Sequence, residues 1–176
     1  MKWNNPGNIR PSGDNWLGMT GVTPSNFVIF DTIAHGYRAQ LKTLITYIRR
    51  GKNTVALIIP TWAPASDNNQ PEQYIRAVEQ MSGIDRNTAI GSADWYKLGK
   101  VAYAMSIVEK GDEARTPQAQ QALVDAINML KGTTPPPSAK PEPKPDTPRD
   151  PSLFILPLAI LLIAAISLQN IGKART

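Results

Sequence analysis

Cysteine is absent from the 176-residue chain, and the sequence holds one histidine, His35. Without cysteine, neither a disulfide nor a thiolate metal site can stabilise the fold or take part in chemistry. A single histidine also excludes zinc sites built from several histidines and argues against Ser-His-Asp catalysis. We therefore expect neither a metal nor a cofactor.

Long runs of positive charge are also missing, although the net charge is +5 and the isoelectric point is near 9.6. The densest basic group is Arg49, Arg50 and Lys52. Nucleic-acid binding usually needs a more concentrated basic footprint, so no specific nucleic-acid partner is expected. A diffuse charge is enough for attraction to an anionic polymer such as the bacterial wall, or to membrane phosphates.

The composition divides the chain into four regions. Residues 133–151 are proline-rich with alternating charges, which is typical of an extended linker that buries no apolar surface. Residues 152–172 are strongly apolar and uncharged, which predicts a transmembrane helix. A cationic tail, 173–176, follows. The sequence therefore predicts a globular domain over 1–132 held by a single C-terminal anchor in a virion membrane or the bacterial inner membrane.

The predicted globular domain is α+β, mainly helical, with a small β-hairpin. The segment FVIFD, with turns at Gly18 and Gly21, predicts the hairpin. Apolar residues recur at helical spacing after Thr32, which predicts a helix that begins there and stops at Gly51. Further helices are predicted at 55–62, 71–82, 92–110 and 116–131.

The opening segment MKWNNPGNIRPSGDNWLG is rich in turn-forming residues and indoles. We expect NNPGN to form a tight loop that places Ile9 in the core and Arg10 at the rim. Indole rings pack against sugar C–H groups and amides bind hydroxyl and N-acetyl groups, so a sugar cleft is one interpretation. The other is that these amphipathic residues only edge the core. The candidate substrate-binding residues are Trp3, Asn5, Asn8, Arg10, Trp16, Arg38, Trp62, Asn68, Asn69 and Tyr74.

Five blocks occur in the order NNPGNIR, WLGMTG, FVIFD, HGYRAQLKTLITYI and WAPASDNNQPEQYIRAV. Over residues 3–85 this order resembles a group of phage and prophage proteins that open with an N-P-G-N-I-R signature. The resemblance implies a lysozyme-like, peptidoglycan-degrading or virion-associated domain. A looser similarity links residues 5–10 to glucosaminidase and transglycosylase domains, in which a catalytic Glu precedes the matching segment. This chain has no acidic residue before Asn5.

Cleavage of a glycosidic bond needs a carboxylic acid to protonate the leaving oxygen. Asp31 follows a predicted strand, where apolar neighbours would raise the pKa of its carboxyl, although it also suits a helix start beside Thr32. Asp14 lies in a turn beside Trp16, and Glu72 opens a helix after a polar loop. The acids expected on the solvated faces of helices are Glu79, Glu109 and Asp125.

The sequence thus predicts a membrane-anchored, phage-type peptidoglycan-degrading protein, a muramidase or a lytic transglycosylase, acting on the wall during entry or exit. Its expected partners are peptidoglycan glycan strands, a lipid bilayer and other virion proteins. The alternative is a non-catalytic virion or envelope protein that keeps a glycan-binding, lysozyme-like fold. The missing acid before Asn5 favours the alternative.

Overall fold

Residues 1–132 are the part of the chain that the computed structural model describes. They contain a two-stranded antiparallel hairpin followed by helices, with short 3₁₀ turns at Lys2–Asn4 and Ala65–Asp67. The strands and helices are β1 (Met19–Val22), β2 (Val28–Phe30), α1 (Ile33–Arg49), α2 (Val55–Trp62), α3 (Pro71–Ser82), α4 (Trp95–Lys110), α5 (Asp112–Arg115) and α6 (Pro117–Lys131).

Helix α1 is the centre of the packing. Thr32 caps it by accepting the His35 backbone N–H at 3.2 Å, and Gly51, at φ +83°, follows its end. Leu41 and Leu44 on its apolar face are fully buried. The helix packs chiefly against α6 and also contacts α4, α2 and β2. The predicted helix and both of its boundary signals are confirmed.

The other helix boundaries follow the same local chemistry. Pro71 opens α3 and Gly83 ends it at φ +64°, as predicted. Thr116 caps α6 by accepting the Ala119 N–H at 3.2 Å. Helix α4 begins later than predicted, because the Asp94 carboxylate caps it by accepting the Lys97 N–H at 3.0 Å.

The hairpin pairs Val22 with Val28 and Met19 with Phe30, with an irregularity in register between Met19 and Gly21. Val28 and Phe30 are buried. Strand β2 contacts both the opening 3₁₀ turn and α1, so the hairpin holds the opening segment beside the central helix.

One part of the predicted fold class is wrong, namely the membrane-spanning helix. Within residues 1–132, every helix is too short or too polar to cross a bilayer. The segment predicted to form that helix, 152–172, lies outside the described residues, together with the predicted linker, 133–151, and tail, 173–176. The described part of the chain is a mainly helical domain with one two-stranded hairpin.

Candidate active site

The opening loop is held in place by a buried asparagine. The Asn5 side chain donates to the carbonyls of Ile9 at 3.0 Å and Val28 at 2.8 Å, and its Oδ1 accepts the Ile9 N–H at 2.8 Å. The Val28 N–H in turn donates to the Ile9 carbonyl at 2.9 Å. The amide is therefore fully used in joining the loop to β2. Ile9 is buried and Arg10 is exposed, as predicted.

Left-handed backbone conformations let this loop turn within a few residues. Asn4 and Asn8 have φ values of +52° and +50°, which asparagine adopts more readily than most residues. Trp3, at φ +60°, is a rarer case because bulky side chains seldom occupy this region. The Asn4 side chain also donates to the carbonyls of Phe30 and Asp31 at 2.9 and 3.0 Å, which fixes the turn to the end of β2.

Two glycines bring the loop close to its neighbours. A Cβ on Gly36 of α1 would lie 2.0 Å from the Asn4 carbonyl oxygen and 2.7 Å from Cδ of Pro6. A Cβ on Gly7 would lie 2.8 Å from the ring of Trp62. The absence of a side chain at these positions lets the loop lie directly against α1 and the end of α2.

The loop and the neighbouring helices together surround one carboxylate, that of Glu109 in the last turn of α4. Its Oε1 accepts hydrogen bonds from the Tyr74 hydroxyl at 2.8 Å and the Trp62 indole N–H at 3.3 Å. Its Oε2 accepts from the Asn8 amide at 2.7 Å. All three donors are uncharged, and Glu109 forms no ion pair within the described part of the chain. We call Glu109 and its three donors the Glu109 cluster.

Lys110 fixes the orientation of the Asn8 amide. Its ammonium donates to Asn8 Oδ1, and since an ammonium cannot accept, the amide nitrogen must face Glu109. Burial lowers the pKa of Lys110, while the nearby charge of Glu109 acts in the opposite direction.

Tyr74 remains a proton donor throughout the ordinary pH range. Burial, and then the adjacent Glu109 carboxylate, raise the pKa of its hydroxyl far above its usual value. The hydroxyl also lies 3.4 Å from the Met105 carbonyl oxygen, a second acceptor. It can therefore donate to an ionised Glu109, or turn to Met105 and accept from a protonated one.

The Glu109 carboxylate opens onto a groove of about 770 Å³. Asn8 and Trp62 line the groove beside it, while Tyr74 lies behind the carboxylate rather than in the groove wall. Trp16 and Phe27 add aromatic surface. A carboxyl that three neutral donors hold beside aromatic rings is suited to general acid–base work on a polar substrate. No group of three potential metal-ligating side chains occurs within residues 1–132.

Several predicted site residues meet in this groove. The predicted residues that line it are Asn8, Arg10, Asp14, Trp16, Trp62 and Asn69. Tyr74 does not line the groove but donates a hydrogen bond to Glu109, which does. The predicted residues outside its lining are Trp3, Asn5, Asp31, Arg38, Asn68 and Glu72. Trp3 stacks on Phe27 with ring centroids 5.7 Å apart, and Asn68 is the left-handed residue that ends the second 3₁₀ turn.

Two of the predicted catalytic acids have the wrong surroundings for that role. The Asp31 carboxylate lies 2.6 Å from His35 Nδ1 in an exposed position. Desolvation raises the pKa of this carboxyl, but its hydrogen bonds to His35 and Thr32 lower the pKa by more. The net result is a lowered pKa. The Glu72 carboxylate accepts from Arg86 and Arg76, which lower its pKa. The predicted rise in the pKa of Asp31 is therefore wrong, and both groups favour the ionised form.

Glu109 is the residue that the sequence prediction missed. The prediction places it on a solvated helix face, yet it continues the buried face formed by Leu98, Ala102 and Met105 at helical spacing. A carboxylate at the end of an apolar stripe is the local signal that could have identified it. Its partner Asn8 is 101 positions away in the sequence.

Comparison with known proteins gives one clear relationship. No family model matches the chain. The chain is 33% identical over 121 residues to Protein P5 of Pseudoalteromonas phage PM2, an alignment that covers 66% of this chain and 73% of Protein P5. The chain belongs to the family of Protein P5. The predicted kinship with bacteriophage proteins agrees with this relationship.

Proposed function

We propose that the chain is a phage-type peptidoglycan-degrading protein in which Glu109 is the general acid. The observation that carries the proposal is a single carboxyl held by three neutral donors at the wall of an aromatic groove. The resemblance of the opening blocks to lysozyme-like phage domains supports it, and so does membership of a family that includes a phage protein.

The groove chemistry favours a sugar substrate. Trp16 and Trp62 offer ring faces against which pyranose C–H groups can pack, and the amides of Asn8 and Asn69 lie along the same groove. Tyr74, Trp62 and Asn8 donate to Glu109 without cancelling its charge. None of these donors carries a charge, so Glu109 has no ion-pair partner among the described residues.

In the proposed reaction, protonated Glu109 gives its proton to the glycosidic oxygen as the bond from that oxygen to the anomeric carbon breaks. The Tyr74 hydroxyl returns to donating to the carboxylate that results. Either water or the sugar's own 6-hydroxyl then attacks the anomeric carbon and gives up its proton to Glu109. The first route is hydrolysis and the second is that of a lytic transglycosylase. Asp14 and Asp67 also line the groove and are the carboxylates placed to assist.

The test uses the full chain and purified wall sacculi. We expect soluble muropeptides from the wild type, with anhydro ends identifying transglycosylation by mass spectrometry. Glu109→Gln keeps the shape of the side chain but cannot supply the proton, so the rate should fall by about 10²- to 10⁴-fold. The control is Asp125→Asn, since Asp125 accepts from Gln121 within α6 and lies outside the groove lining.

Two outcomes would contradict the proposal. Equal rates for Glu109→Gln and Asp125→Asn would remove Glu109 from the mechanism. Sacculus binding without any muropeptide release between about pH 4 and pH 8, where tuned carboxyls act as acids, would favour the non-catalytic, glycan-binding alternative.

A further inference from the structure

One wall of the groove carries positive charge without a carboxylate partner. Lys42, Thr46 and Arg50 follow one another at four-residue spacing along α1 and its end, and all three line the groove. Neither cation forms an ion pair within residues 1–132. We call Lys42, Thr43, Thr46, Tyr47 and Arg50 the α1 strip.

Some cations elsewhere in the described domain, among them Arg86 and Lys97, are paired with carboxylates. Arg86 binds Glu79 at 2.9 Å and Glu72 at 3.0 Å, and Lys97 binds Asp94 at 3.0 Å. These pairs satisfy the positive charge within the domain. Lys42 and Arg50 instead leave their charge facing an open groove, where an anionic ligand group can take the place of the missing partner.

The α1 strip continues away from the Glu109 cluster. A Cβ on Gly7 would lie 2.8 Å from the Trp62 ring and 3.2 Å from the Gln40 side chain of α1, so Trp62 of the cluster lies near the N-terminal end of the strip. From Lys42 to Arg50 the helix rises by about 12 Å. A substrate whose cleaved bond lies at Glu109 would therefore extend its neighbouring groups along Lys42 and Arg50.

We propose that the α1 strip binds the carboxylates of the stem peptides that substitute the glycan strand. This inference rests on the proposed function. Every muramic acid of peptidoglycan bears a lactyl group that carries a short peptide, so negative charge recurs beside an uncharged sugar backbone. Hydroxyl groups from Thr43, Thr46 and Tyr47 between the two cations can bind the peptide amides.

The charges of the other walls favour a glycan over a nucleic acid. Asp14, Asp67 and Glu109 also line the groove, and so does Arg10, which lies over the Phe27 ring. A phosphodiester backbone running through it would bring a negative charge to each nucleotide beside these carboxylates. A glycan strand carries its carboxylates only on the side substituents, which can lie on the α1 strip while the neutral sugars pass the acids.

The experiment compares two forms of the wall with the full chain. Intact sacculi bear stem peptides, whereas treatment with an N-acetylmuramoyl amidase removes the peptides with their cross-links and leaves glycan strands that carry only the lactyl carboxylates. We expect the wild type to bind the intact form more tightly, with a preference that decreases as salt rises. Lys42→Gln combined with Arg50→Gln should weaken binding to intact sacculi by about fivefold, the effect of losing two partly exposed ion pairs, and should weaken binding to the peptide-free glycan strands less.

The matched control is Arg49→Gln. Arg49 is the sequence neighbour of Arg50, is exposed and lies outside the groove lining, so its loss removes the same charge from another surface. We expect this variant to keep the preference for intact sacculi. The charge-conserving pair Lys42→Arg and Arg50→Lys should keep most of it. Far-ultraviolet circular dichroism of each variant reports whether the helices are intact.

The outcomes separate this inference from the proposed function. Glycan cleavage that is equal for both wall forms and unaffected by the double variant would overturn the stem-peptide site and leave the catalytic proposal standing. A salt-sensitive preference for intact sacculi without any cleavage would support the site and overturn the catalytic proposal. An equal loss in Arg49→Gln, or tighter binding of a short DNA duplex than of intact sacculi, would overturn the stem-peptide site.

Discussion

Two carboxylate clusters of this domain differ in the partners that surround them. In one, Arg86 binds Glu79 at 2.9 Å and Glu72 at 3.0 Å, and its backbone N–H also donates to Glu79 at 2.9 Å. In the other, Glu109 accepts only from the neutral groups of Tyr74, Trp62 and Asn8 among the described residues. The first joins α3 to the loop that follows it, and the second opens onto a groove.

The difference separates carboxylates that are paired with a countercharge from one that neutral donors hold at a groove. Side-chain hydrogen bonds from Arg86 lower the pKa of both Glu72 and Glu79, so these groups remain charged and their proton is unavailable. Neutral donors hold Glu109 in place without supplying a countercharge. A carboxyl oriented in this way at the wall of a groove is the better candidate for chemistry because it can reach a bound substrate.

The largest effect is expected from Gly36→Ala, which would displace the opening loop that carries Asn8. The added carbon would lie 2.0 Å from a backbone oxygen of the opening loop, which no side-chain rotation can relieve. We expect the free energy of unfolding to fall by at least about 3 kcal/mol, the upper range for overpacking, with displacement of Asn8 from Glu109. Urea denaturation measures it. In Gly99→Ala, the control, the new carbon meets only the mobile end of Ile127, and stability should stay within about 1 kcal/mol of the wild type. Equal stability of the two variants would show that the loop does not depend on this approach.

A smaller effect is expected from Tyr74→Phe, which removes one donor from Glu109 and keeps the ring. The rate of wall cleavage should fall by about tenfold, the effect of losing one hydrogen bond to a charged group. Muropeptide release measures it. The matched variant Tyr103→Phe loses a hydroxyl that accepts from Gln120 at 3.1 Å, away from the groove, and should cleave at the wild-type rate. If both variants slow equally, the Tyr74 hydroxyl has no particular role.

The smallest effect is expected from Arg86→Gln, and its size depends on pH. Since the folded-state pKa values of Glu72 and Glu79 lie below 4.5, the stabilisation from these pairs is present above pH 4.5 and is lost as pH falls through the lowered values. The variant should therefore have a lower Tm than the wild type at neutral pH, and the two values should converge in acid. Arg76→Gln should show a weaker version, because Arg76 binds only Glu72 in the described structure. A Tm difference independent of pH would show that packing, and not charge, accounts for the effect.

The sequence predicts the local features of the fold and only part of the site. Helix α1 could be predicted because its stripe, the Thr32 cap and Gly51 are all local signals. Trp62 and Asn8 could be proposed as site residues from their type alone. Glu109 could not be recognised from its charge, because an acid near a helix end is usually solvated. Its partner Asn8 comes from a loop that is distant in the sequence. The prediction of a membrane-spanning helix rests on composition at 152–172, outside the described residues, and the helices of 1–132 do not provide one.

The sequence separation between Asn8 and Glu109 has a consequence for synthesis. The ribosome makes the loop first and the carboxylate about a hundred residues later, so a growing chain holds no finished groove until α4 has been released and folded. A fragment that stops before α4 would have the indoles and the amides but not Glu109. The wall-cleaving chemistry proposed for this protein would therefore be withheld from its unfinished copies.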